Sequence, residues 1–62
     1  MTAPARNHYR NAIDAIHRAD ERARMTGEKQ YIIAHDDSFE VMCIGQVVKY
    51  GYQDMVVESV RP

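Results

Sequence analysis

The chain has little of what usually staples or anchors a small protein. Its 62 residues include one cysteine, Cys43, so no internal disulfide can form. Cys43 lies in the apolar run Val41-Met42-Cys43-Ile44, where a free thiol packs as a small hydrophobe. An unpaired thiol fits a reducing compartment. No stretch approaches the roughly 18 apolar residues that a membrane helix needs. The opening residues Met1-Thr2-Ala3-Pro4-Ala5-Arg6 lack the apolar core of a secretory signal, so a cytoplasmic location is expected. The three glycines, Gly27, Gly45 and Gly51, are isolated, which excludes a glycine-rich phosphate loop.

A dominant charge is missing as well. The net charge is −1, which argues against broad electrostatic attraction to nucleic acid. Residues 1–31 hold six Lys or Arg against four Asp or Glu, a sum of +2, and residues 32–62 hold two against five, a sum of −3. A mildly basic half beside a mildly acidic half fits protein recognition better than a phosphate channel.

Catalytic signatures are scarce too. HExxH and CxxC are absent, and no serine sits in an elbow sequence. The histidines are His8, His17 and His35. On a helix, positions nine apart lie about 2.5 turns from each other, so His8 and His17 would point to nearly opposite faces and could not share a metal. His35-Asp36-Asp37 carries cation-binding side chains, but acids next to Ser38 read first as a turn. No catalytic residue, metal ligand or cofactor site is therefore assigned, and a non-enzymatic binding protein is expected.

What is present reads as one α+β domain spanning 1–62. Tyr9, Ala12, Ile13, Ile16, Ala19 and Ala23 recur at spacings of three and four, which predicts an amphipathic helix over about 5–26. Thr2 is its expected N-cap, with Asn7 as the alternative, and Gly27 fits the left-handed position that ends it. Asp14 with Arg18, and Asp20 with Arg24, are acid–base pairs at i,i+4. A small antiparallel β-meander of about three strands follows over 29–61: Tyr31 to Ala34, Phe39 to Ile44 after the turn at His35-Asp36-Asp37-Ser38, and Met55 to Val60. Residues 45–51 allow two readings. Paired valines favour an extension of the second strand past a bulge at Gly45, and a helical turn closed by Gly51 is the alternative.

Apolar residues are unevenly divided. Alanine aside, residues 1–30 contain five and residues 31–62 contain sixteen. With Tyr9, Ile13 and Ile16 as its large core residues, one slim helix covers one sheet face. Ile32, Met42, Ile44 and Val56 would then form a second, uncovered face, and its size calls for a partner, in the first place a second copy of the chain. Tyr50 and Tyr52, flanking Gly51 and close to Met55, are the candidate partner-binding aromatics: at least one is expected to pack under the helix, and the other to serve as the anchor for a protein partner. Arg18 and Arg22 form a cationic pair on the helix, and a dimeric nucleic-acid-associated regulator is the alternative function. A small-ligand binder with its pocket at a subunit interface is the third reading.

The run Asp14-Ala15-Ile16-His17-Arg18-Ala19-Asp20-Glu21-Arg22-Ala23-Arg24, followed by Tyr31-Ile32-Ile33-Ala34-His35-Asp36-Asp37-Ser38-Phe39-Glu40-Val41, resembles the short orphan reading frames of phage and prophage genomes. The likeness is an Ala/Arg-rich helix leading into a hairpin, and it covers most of the chain. It implies a stoichiometric inhibitor or adaptor of a larger host or defence protein.

Overall fold

The computed structural model describes residues 8–62. Asn11 sets where the first helix begins. Its backbone is extended, and its side-chain Oδ1 accepts the Asp14 N–H at 2.9 Å, which satisfies one of the free donors of the first turn. Helix α1 therefore runs Ala12–Thr26, shorter than the expected 5–26. Gly27, at φ 73°, ends it and donates its N–H to the Ala23 carbonyl. The expected caps Thr2 and Asn7 lie outside the described residues. The spacing of Tyr9 to Ala12 and Ile13 imitates a helical stripe, but His8–Tyr9 is a short strand, β1.

The sheet has four strands in the order β1-β3-β2-β4, with β2 Gln30–Ala34, β3 Phe39–Met42 and β4 Val56–Val60, and every pairing is antiparallel. The α+β class is as expected, but the strands do not form a meander: β4 pairs with β2 and not with β3, β1 adds a fourth strand, and a second helix is present. The β2–β3 turn closes where His35 N–H donates to Ser38 O at 2.8 Å. Between Ile32 and Ile33 the register with β4 slips by one residue, so Val57 is a bulge.

Residues 45–51 are not strand. Ile44–Tyr50 form a second helix, α2, entered from the extended Cys43, whose N–H donates to Gln46 Oε1 at 3.4 Å. Gly51, at φ 72°, closes it, with Tyr52 N–H donating to Val47 O at 2.9 Å. Burial of Val47 against Ile33 and Met42 outweighs the strand preference of Val47 and Val48, and the bulge lies at Val57, not Gly45. A 3₁₀ turn over Gln53–Met55 leads into β4.

Two apolar layers result. On one face of the sheet, Ala15 and Ala19 of α1 pack against Ile32 and Val41, with Tyr9, Phe39 and Val60 around them. On the other, Val47 of α2 packs against Ile33 and Met42, with Tyr31, Tyr52, Met55 and Val56 beside them. The helix meets the sheet through alanines, not through Ile13 and Ile16; Ile13 is 66% exposed. Bulky side chains on the sheet fill the interface, and small residues allow the helix its closest approach. Among the described residues no helix is long and apolar enough to cross a membrane.

Candidate functional site

The four residues expected to share an open sheet face are separated by the fold. Ile32 lies under α1, Met42 and Val56 lie under α2, and Ile44 is on α2 itself with 53% of its surface exposed. Strand alternation explains the split: Ile32 pairs with Val41 and Ile33 with Glu40, so adjacent residues of β2 serve opposite layers. Helix α2 covers the second face, so that face is not available to a second copy.

The richest gathering of polar chemistry sits at the end of the sheet near the β2–β3 turn. β1 carries His8 alongside β3, where it pairs in register with Glu40. His35 leaves the end of β2 and points back to the same place. Glu40 is 2% exposed. His35 donates Nε2–H to Glu40 Oε1 at 2.8 Å, and His8 Nε2 lies 3.8 Å from the same oxygen. The two imidazoles stack with centroids 5.2 Å apart, and His8 Nδ1 is 3.0 Å from Ser38 Oγ. Tyr52 meets His35 edge-on at 5.3 Å, and Tyr50 leans on Tyr52 at 5.6 Å. A cleft of about 410 Å³ opens beside the cluster, lined in part by Asp36, Asp37, Ser38 and Met55.

Serine, imidazole and carboxylate thus stand in series, the order of a nucleophile, a base and an orienting acid. A triad needs the imidazole held by the acid through a hydrogen bond, and 3.8 Å exceeds that reach. Glu40 Oε1 is engaged at short range by His35 instead.

The remaining expected site residues are dispersed. Tyr52 and Met55 pack against the α2-side core, whereas Tyr50 is exposed at the end of α2. Arg18 pairs with Glu21, Arg24 pairs with Asp20 at 3.2 Å, and Arg22 donates to the Val41 carbonyl at 3.4 Å. Arg18, Arg22 and Arg24 are thus engaged locally, and among the described residues they do not line up as a basic stripe of the kind a phosphate backbone recognises. His17 lines a groove between α1 and β4 with Ile16, Asp20, Glu21 and Val60. Helical spacing from about residue 5 does not bring His8 to His35 and Glu40; its place in β1, ahead of the helix, does. Asn11 followed by Asp14 three residues later is the capping signal that moves it off.

Comparison with protein-family models, with curated proteins and with solved structures gave no match.

Proposed function

We propose that the chain is a cytoplasmic, non-enzymatic module that binds another protein, as an inhibitor or adaptor, by pairing an extended segment of that partner along the outer edge of β4. The observation that carries this reading is the edge itself. β4 is the last strand of the sheet, and its outer side has no strand partner among the described residues. Unpaired backbone donors and acceptors along such an edge are a template for strand addition. Val57, at the bulge, is 58% exposed, and the groove containing Ile16 and Val60 runs beside the strand on the α1 side. At the other end of β4, Met55 and Val56 adjoin Tyr52, on which the exposed Tyr50 rests. Apolar side chains of the added strand would enter the groove, and Tyr50 would supply an aromatic anchor at the rim.

Charge defines the partner further. Glu58 is exposed and has no ion-pair partner among the described residues, so a Lys or Arg opposite it in the added strand is favoured. A second copy of the chain paired symmetrically about Glu58 would set two carboxylates face to face, which disfavours that homodimer. The resemblance to phage-encoded accessory proteins points the same way, toward a larger protein target.

Comparative capture from host lysate tests the reading. The wild type and Ile44→Lys should retain the same protein, and Glu58→Lys and Val57→Lys should lose it while still folded. Equal capture by all four would remove the β4 edge as the binding site. Sedimentation equilibrium should show a monomer, and a stable dimer dissociated by Val57→Lys would instead assign the edge to a second copy.

A further inference from the structure

We propose that His8, His35 and Glu40 form a Zn²⁺ site that clasps β1, the β2–β3 turn and β3 together. His8 is distant in sequence from His35 and Glu40, which face each other across one hairpin turn, yet one ligand atom from each lies within 4.8 Å of the others. Two imidazoles and one carboxylate are a donor set that divalent zinc accepts, with a fourth position left for water or another ligand. Zinc–ligand bonds of about 2.0–2.2 Å in a tetrahedron put ligand atoms about 3.3–3.6 Å apart. The 2.8 Å and 3.8 Å separations from Glu40 Oε1 lie on either side of that value, the third pair lies within 4.8 Å, and the two stacked imidazoles must turn toward a common point to complete the geometry.

The surroundings are those of a built site. An Nδ1–H of His8 donated to Ser38 Oγ, 3.0 Å away, selects the tautomer whose Nε2 lone pair faces Glu40. The Tyr52 ring edge limits the rotation of His35. Glu40 is almost wholly buried, and a buried carboxylate is stabilised by a cation beside it. The cleft that opens next to the cluster gives an ion its route of entry and leaves room for the fourth ligand. Asp36 and Asp37 line the same cleft and add negative charge at its mouth.

The consequence is structural. β1 is only two residues long and is held through one strand pairing, so an ion bound by His8 would fix it to the sheet. In a chain of this length without a disulfide, a metal is one of the few remaining ways to add stability.

Tag-free protein stripped with EDTA is titrated with ZnCl₂, followed by calorimetry and thermal unfolding, and separately with CoCl₂, followed by its visible spectrum. One Zn²⁺ per chain is expected, with Tm raised by about 20 °C at 100 times Kd, and Co²⁺ should show the intense d–d bands of tetrahedral coordination. MgCl₂ should do neither, because it prefers oxygen ligands. His8 is 40% exposed in its side chain, so His8→Ala should keep the fold of the metal-free protein. It should nevertheless lose at least about tenfold in Zn²⁺ affinity, and Ser38→Ala should lose a smaller factor. Absence of a Zn²⁺-dependent shift and of Co²⁺ bands in the wild type would reduce the cluster to a hydrogen-bonded His–Glu pair. Undiminished Zn²⁺ binding by His8→Ala and by His35→Ala would place the ion elsewhere and overturn the site.

Discussion

Ile32 and Ile33 are consecutive residues of β2, both almost fully buried, and they serve different cores: Ile32 packs under α1 and Ile33 under α2. Each layer has its own partners, so a methyl group removed on one side is not felt on the other. Ile32→Val and Ile33→Val should each lower the unfolding free energy by about 0.5–1.5 kcal/mol. The double variant should lose close to the sum, because the two residues share no side-chain contacts within a core cluster. Urea denaturation followed by circular dichroism measures all three. A large non-additive term would mean that the two layers do not act as separate cores.

Met42 and Ile44 are two positions apart, and a charge should act very differently at each. Met42 is 1% exposed in the α2-side core, and Met42→Asp should unfold the chain, since an unpaired charge there has no counter-ion. Ile44 faces outward from α2, and Ile44→Asp should change stability by no more than about 0.5 kcal/mol. A monomer–dimer shift in Ile44→Asp during sedimentation would restore a role for that residue in self-association.

Gly51 and Gly45 bracket the same short helix in opposite senses. Gly51 has a left-handed backbone, and Gly51→Ala should destabilise by about 1 kcal/mol although nothing lies within 4 Å of the new methyl group. Gly45 lies within α2 without that conformation and with equally open surroundings, so Gly45→Ala should stabilise by about 0.5–1 kcal/mol. Thermal melts of the two variants should move in opposite directions.

Tyr50 and Tyr52 should separate binding from folding. Tyr50 is exposed, and Tyr50→Ala should weaken partner binding by about 2 kcal/mol with little change in Tm. Tyr52 supports the α2-side core and touches His35, so Tyr52→Ala should lower Tm before it affects binding. Isothermal titration with the captured partner, alongside a melt of each variant, distinguishes the two roles.

The amino-acid sequence by itself determined the α+β class, the presence of α1 and its end at Gly27, and the β2–β3 hairpin about the His35–Ser38 turn. All of these depend on local signals: apolar spacing, a glycine able to adopt positive φ, and residues that bond their own backbone. The helix start at Asn11 is local as well, but the chance spacing of Tyr9 to Ala12 and Ile13 masks it. Tertiary structure alone decided the rest. Whether residues 44–50 became strand or helix depended on which side of the sheet still needed cover, since Val47 gains burial only when α2 folds over Ile33 and Met42. Long-range pairing of β1 with β3 set His8 beside Glu40, 32 positions away, and no sequence spacing encodes that approach. Side chains in one strand alternate between layers, so eleven of the sixteen apolar residues of the second half joined the two cores, while Ile44, Val48, Tyr50 and Val57 stayed exposed and β4 was left as an open edge.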